Sequence, residues 1–184
     1  MEACTEEDVQ RMLPLVSAQR RKQALGYKHL FGRFCCLKSW LMLKELMDNG
    51  QGTMDHWHYN EHGKPFIAGG PCFSISHCKA GIAVAVDGQS VGMDIESIRR
   101  ADEDLIVRTM NEEEREIILA ESGEERNRLF TRLWTQKEAV VKALGTGILS
   151  FEQLQSVLGN LPAGVRIETN EKENYIYSIA YKQN

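Results

Sequence analysis

The order in which the texture of the chain changes constrains its fold more than any single motif. Apolar residues recur at helical spacing over residues 17–48, where Leu30, Phe34, Leu37, Leu41, Leu43 and Leu46 align before Asn49-Gly50 stops the run. Gly26 and Gly32 weaken the front half of that pattern. Glycine and proline then divide residues 50–71 into short pieces, with a candidate strand at 55–59. Short β-branched segments follow at 72–76 (CFSIS), 82–87 (IAVAVD) and 90–96 (SVGMDIE). Asp87-Gly88 between the last two is a hairpin signal, and the three segments together predict an antiparallel meander. Helical spacing returns at 102–121 and 124–144, parted by Gly123 and closed by Gly145. Residues 163–168 and 175–182 read as strands joined by a turn from Asn170 to Asn174. At the other end, Thr5 before Glu6, Glu7 and Asp8 marks a capped helix start. A helix-plus-sheet unit thus occurs twice. The fold expected is α+β, with two pseudo-symmetric lobes, residues 1–96 and 97–184, each a small antiparallel sheet packed with helices.

The length of 184 residues is enough for one substantial core or two small packed lobes. With 22 Lys+Arg against 26 Asp+Glu, the net charge of −4 argues against nucleic-acid binding through overall charge. The five cysteines are odd in number and include no CxxC pair, so free thiols in a reducing compartment are expected. The opening MEACTEEDVQRM is acidic and lacks the apolar core of a signal peptide. No apolar run approaches the ~18 residues of a membrane span. These features together predict a cytoplasmic protein with neither a nucleic-acid nor a membrane partner.

Two segments carry the chemistry. On a strand, Asp94 and Glu96 share one face, where two carboxylates repel unless both stand in water or both share a cation. Oxygen ligands of this kind suit Mg²⁺, although an ordinary exposed strand face is the commoner explanation of such a pair. On a helix, Glu138 and Lys142 lie one turn apart on one face, with Trp134 a turn earlier. An ion pair on a solvated surface is the ordinary explanation. Against it, Leu129, Phe130, Leu133, Val140, Val141 and Leu144 cover most of the circumference, so Glu138 and Lys142 belong to a mostly buried helix. A metal ligand and a phosphate-binding lysine would account for them. Lys137, about 100° around the axis from Glu138, is expected to look outward or along the lobe surface.

Weaker candidates surround these. Ser76 and His77 end a strand, where hydroxyl, imidazole and backbone N–H groups can hold a phosphate. Ser74 and Ser76 share a face and could instead satisfy each other across the sheet. Lys64 lies in a Gly63-Lys64-Pro65 turn, and Arg20 and Arg33 belong to the early basic helical run, itself most simply a solvated face. His56 and His58 share a strand face but lack a carboxylate or cysteine at ligand spacing.

Taken in order, GKP at 63–65, SISH at 74–77, VGMDIE at 91–96 and LWTQKEAVVKALGTGI at 133–148 resemble the 4'-phosphopantetheinyl transferase superfamily, in its two-lobed, single-chain type. The resemblance covers roughly residues 17–150. It implies an active site in the cleft between the lobes, coenzyme A as substrate and Mg²⁺ as cofactor. The 4'-phosphopantetheine arm would pass to a serine of an apo acyl or peptidyl carrier protein, with release of adenosine 3',5'-bisphosphate. By motif, Asp94, Glu96 and Glu138 would hold Mg²⁺. Glu138 would act as the base, directly or through a water, and Lys142 would contact the transferred phosphate. Ser76 and His77 would bind coenzyme A phosphates, Lys64 would sit near the adenine, and Arg20 and Arg33 would reach the 3'-phosphate. Because both motif sets lie in one chain, a monomer is expected.

The chain departs from the pattern in opening on a helix rather than a strand. It also has Ser74 where relatives often carry Asn, and Met93 at a position usually aliphatic. Two other functions share the same residues: a non-catalytic binder of coenzyme A or of carrier protein, and a Mg²⁺-dependent hydrolase of nucleotides or coenzyme A.

Overall fold

The computed structural model describes residues 4–47, 57–147 and 150–183. The stop signal at Asn49-Gly50, the start of the 55–59 strand with His56, and Ile148 of the second motif lie outside the described residues. The fold is α+β, built from small antiparallel sheets packed with helices.

Helix α1 (Glu6–Met12) begins where the sequence signals it. The Thr5 hydroxyl accepts from the Asp8 N–H at 3.1 Å, and the Asp8 carboxylate accepts in return from the Thr5 N–H at 2.9 Å. The run at 17–48 is two helices rather than one, α2 (Ala18–Leu25) and α3 (Leu30–Met47). The break comes at Gly26, one of the two glycines of the run, whose N–H is shared between the Lys22 and Gln23 carbonyls, while Gly32 is carried within α3. The turn lets α2 fold back on α3, and with α1 they enclose a core of Val9, Ala24, Leu37, Trp40 and Leu43 that also takes in Trp57 and Phe73.

Strand β1 (Trp57–Tyr59) pairs with β2 (Pro65–Ile67), and β3 (Cys72–Cys78) pairs with β4 (Gly81–Asp87), both antiparallel. The expected meander ends there. Strand β5 (Ser90–Ser97) does not pair with β4. Its partner is β7 (Tyr175–Lys182), with Asp94 opposite Ser178, and β7 in turn pairs with β6 (Val165–Glu171). The reason is burial: Val91 through Ile95 are all buried, and the eight-residue β7 satisfies the whole length of one β5 edge. Toward its other edge, β3 supplies hydroxyls instead of a ladder. Ser74 Oγ accepts from the Met93 N–H at 2.9 Å and Ser76 Oγ from the Ile95 N–H at 3.4 Å. The two serines therefore bond to β5 and not to each other.

The region 102–121 also divides, into α4 (Glu103–Thr109) and α5 (Glu112–Ala120), because Asn111 forms a capping box with Glu114. Strand β6 runs three residues past its expected end, so Asn170 pairs with Tyr177 and the turn is confined to Lys172–Asn174. A short helix α7 (Phe151–Ser156), capped by Ser150, has no counterpart in the sequence reading.

Helix α6 (Gly123–Leu144) lies across the β5–β7–β6 sheet and ends at Gly145, whose φ of 70° is left-handed. The crossing is made by small residues: Gly92 and its ladder partner Ala180 meet Ala139 and Ala143. A Cβ at Gly92 would lie 2.0 Å from the Ala139 carbonyl oxygen and 2.2 Å from the Ala143 nitrogen. Both are backbone atoms, so the helix itself would have to lift. Gly92→Ala is therefore expected to cost about 2–3 kcal/mol or more in urea unfolding. Gly88→Ala, where nothing stands within 4 Å, should stay within about 0.5 kcal/mol. Equal effects from both would show that the crossing is not tight.

Candidate active site

The close approach of α6 to β5 creates the site. Alternation along β5 sends Met93 and Ile95 into the core against Cys78 and Ala83, while Gly92, Asp94 and Glu96 share the opposite, α6-facing side. Helical spacing sends Glu138 and Lys142 from α6 toward the same place. Asp94 is 4% exposed. Its Oδ1 accepts from the Lys142 ammonium at 2.6 Å and from the Ser76 hydroxyl at 2.7 Å, and Lys142 also reaches the Ser76 oxygen at 3.2 Å. The Asp94 Oδ2 is buried with no partner.

The Asp94 charge acts on both Glu96 and Glu138. Burial raises the pKa of Glu96, and the Asp94 charge raises it further against the pull of Arg99 and Lys142. Burial does the same to Glu138; Lys142 opposes it, and Asp94 and Glu96 add to it. Among the described residues, no three His, Cys, Asp or Glu side chains are grouped to hold a metal as they stand. Lys142 is the cation that the arrangement itself provides. A buried carboxylate oxygen without a donor, beside two carboxyls strained toward protonation, is nevertheless a donor set suited to a hard divalent cation.

Next to this cluster is a cavity of about 340 Å³, lined on one side by His62, Gly63, Lys64 and Pro65 and on the other by Glu138, Val141, Lys142, Gly145 and Gly147, with Phe73, Ser74 and Ile75 between. Lys64 reaches it, but its ammonium donates to the Val91 and Ala143 carbonyls at 3.2 and 3.4 Å, and burial lowers its pKa. The second contact helps satisfy the C-terminal end of α6, and the first ties the turn to β5.

A second cavity of about 130 Å³ shares Pro65 and Ile75 with the first and is lined by Arg20, Tyr27, Cys36, Trp57, Tyr59 and His77. Arg20 is 5% exposed, its guanidinium 4.2 Å from the Trp40 ring centroid and 3.5 Å from that of Trp57. Its Nη1 donates to Gln23 Oε1 and Cys36 Sγ, whereas Nε and Nη2 are buried without partners. Burial lowers its pKa. The His77 ring lies 6.1 Å from that of Phe31, and burial and then the Lys142 charge hold its imidazole below the usual range. Arg33 lines neither cavity. Its Nε donates to the Tyr27 carbonyl and its guanidinium lies 3.9 Å from Glu6.

Two residues differ from the sequence reading. Trp134 stacks on Phe130 and packs against the core that Phe130 forms with Ala101, Ile106, Met110 and Ile118, rather than joining Glu138. Lys137 does not look outward: it is wholly buried, 2.7 Å from Glu114 and bonded to the Leu154 and Gln155 carbonyls. Its burial was legible, since Phe130, Leu133, Trp134, Val140, Val141 and Leu144 flank it at three-, four- and seven-residue spacing. No local pattern marks the edge-to-face Trp40–Trp57 pair around Arg20.

A family model described as the 4'-phosphopantetheinyl transferase superfamily matches residues 90–182, the segment that holds Asp94, Glu96, Glu138 and Lys142. The 4'-phosphopantetheinyl transferase AcpT of Salmonella typhimurium is 36% identical over 134 residues, covering 70% of this chain and 68% of its own length. The 4'-phosphopantetheinyl transferase Sfp of Bacillus subtilis is 25% identical over 184 residues, covering 97% of this chain and 82% of its own. A further 4'-phosphopantetheinyl transferase of Bacillus subtilis is 28% identical over 148 residues; that match covers 78% of this chain and 65% of the relative, just under two thirds.

Proposed function

Because the chain belongs to the 4'-phosphopantetheinyl transferase superfamily, we propose that it is a holo-carrier-protein synthase. It moves the 4'-phosphopantetheine arm of coenzyme A to a serine of an apo acyl or peptidyl carrier protein and releases adenosine 3',5'-bisphosphate. The observation that carries this reading is the meeting of Asp94 with Lys142 across the β5–α6 crossing, with Asp94 Oδ2 left buried and unpaired.

Asp94, Glu96 and Glu138 would hold Mg²⁺, which supplies neutralisation of the coenzyme A diphosphate. The rest falls to the chain. The Lys142 ammonium, free to pivot on its long stem, binds the phosphoryl oxygens as charge gathers on them. Glu138 takes the proton of the carrier serine, directly or through a water. The serine oxygen then bonds the phosphorus bearing the pantetheine, and the bond from that phosphorus to the adenosine half breaks. Ser76 holds Asp94 in place and lies within reach of Lys142, and His77 stands beside Ser76 to receive a coenzyme A phosphate. The larger cavity takes the body of coenzyme A, with the Lys64 turn as one wall.

The two lobes, 1–96 and 97–184, belong to the same reading. Their junction runs along β5, which pairs with β7 on one edge and receives β3 hydroxyls toward the other. The protein works as a monomer in the cytoplasm. Among the described residues no helix is long and apolar enough to cross a membrane.

The buried Nε and Nη2 of Arg20 support its role at the 3'-phosphate, and Arg33 has no such support. Arg20→Met is expected to raise KM for coenzyme A about tenfold, as the loss of a charge-assisted bond of about 1.5 kcal/mol implies. It should affect 3'-dephospho-coenzyme A much less. Equal loss on both substrates would assign Arg20 to packing alone. The reading as a whole is tested by chromatography of the nucleotide product. Adenosine 3',5'-bisphosphate should appear only when an apo carrier is present, and release without a carrier would make the protein a hydrolase.

A further inference from the structure

The two walls of the larger cavity are distant in sequence, residues 62–65 facing Glu138, Lys142 and Gly145. We propose that Asn60 is the positioning residue that fixes their spacing. The proposal rests on the reading of this cavity as the coenzyme A site.

Asn60 closes the turn between β1 and β2 and joins it to the end of α6. Its backbone N–H donates to the Lys64 carbonyl at 2.9 Å, and its own carbonyl accepts from the Gly63 N–H at 3.0 Å. Its side-chain Oδ1 accepts from the Lys64 N–H at 2.8 Å and the His62 N–H at 3.0 Å. These bonds shape the turn, a common use of asparagine. The amide nitrogen does something else. Nδ2 reaches across to donate to the Gly145 carbonyl at 2.8 Å. The last carbonyls of a helix have no partner within it, so each needs an outside donor. Gly145 receives one from Asn60, and Ala143 receives two, from Lys64 Nζ and from the Ser90 hydroxyl at 2.5 Å. Contact is close as well as polar, because a Cβ on Gly145 would stand 3.3 Å from both Asn60 Nδ2 and Lys64 Cδ.

The consequence is mechanical. Lys142 and Glu138 lie about one and two turns before Gly145 on a rigid helix. The turn that carries Lys64 and Pro65 is thereby locked to the helix that carries the reactive side chains. Releasing the lock lets the cavity widen and changes how tightly it encloses a ligand, while Asp94, Ser76 and Lys142 keep their own contacts. The loss should therefore fall on KM for coenzyme A rather than on kcat.

Two variants separate the lock from the turn. Asn60→Asp keeps an oxygen for the His62 and Lys64 N–H groups but turns a second oxygen toward the Gly145 carbonyl in place of a donor. Asn60→Ala removes both. Each full-length variant is compared with the native chain in steady-state kinetics with coenzyme A and apo carrier, and in amide hydrogen exchange of residues 57–67 and 139–147. Both variants should raise KM for coenzyme A about fivefold or more, with a smaller change in kcat, and exchange should quicken in both segments. If Asn60→Asp matches the native chain in KM and in exchange, the lock is overturned. If only residues 57–67 exchange faster, Asn60 merely shapes its turn, and the proposal also fails. A native chain that fails to use coenzyme A while the exchange result holds would keep the lock and remove the coenzyme A reading.

Discussion

Asp94→Ala is expected to lower the rate of arm transfer about a hundredfold or more, while the protein unfolds at the same urea concentration as the native chain or a higher one. A hundredfold is about 2.7 kcal/mol of transition-state stabilisation. Stability moves the other way because of the structural position of Asp94. The sequence allows an exposed strand face, but the residue is buried, and one of its oxygens has no partner at all. An unsatisfied buried acceptor costs about 1–3 kcal/mol, and alanine removes that cost. It also removes the charge that pushes Glu96 and Glu138 toward protonation. Against this stand the lost bonds to Ser76 and Lys142. The Lys142 side chain is 30% exposed and can return to water. A variant that unfolded readily while keeping most of its transfer activity would make Asp94 a structural residue and remove it from the chemistry.

Lys137→Ala should act in the opposite sense and at the core. The Lys137 ammonium is fully buried, and burial lowers its pKa while Glu114 works to restore it. Removing one member of a buried pair leaves the other charged and unpaired, at a cost of about 3–5 kcal/mol. Glu114 is poorly placed to escape, since its Oε1 is already buried without a partner and its side chain is 8% exposed. The lysine also holds the Leu154 and Gln155 carbonyls, so α5, α6 and α7 all loosen together. Equilibrium urea unfolding should show the full loss in Lys137→Ala and recovery of at least half in the double variant Lys137→Met, Glu114→Leu, where no charge remains buried. A loss below about 1 kcal/mol in the single variant would mean that the pair is hydrated in solution.

These two residues show what could be read from the sequence. The carboxylate face of β5 and the spacing of Glu138 and Lys142 follow from local periods of two and 3.6 residues, and the structure brings Asp94, Ser76 and Lys142 together on that basis. The partner of β5 does not follow. Asp87-Gly88 favours a hairpin locally, and only the burial of β5 on both faces, a property of the folded core, selects β7 instead. Two long helical runs divide at Gly26 and Asn111, where a poor helix former and a capping side chain outweigh an uninterrupted apolar pattern. Arg20 was visible only as one charge among several. What sets it apart is a pair of indoles, Trp40 from α3 and Trp57 from β1, that meet only once the chain has folded. Asn60 is similar, because the Gly145 carbonyl it holds is 85 residues away.

The proposal as a whole depends on Lys142 acting on a phosphate from a helix pressed against β5. The most direct test is the intact mass of an apo carrier protein after incubation with coenzyme A, Mg²⁺ and either the native chain or Lys142→Ala. The native chain should add one phosphopantetheine arm to the carrier, and Lys142→Ala should do so at least about tenfold more slowly at saturating coenzyme A, a difference of about 1.4 kcal/mol. A carrier left unmodified across a panel of apo carriers, or modified equally fast by both proteins, would contradict it.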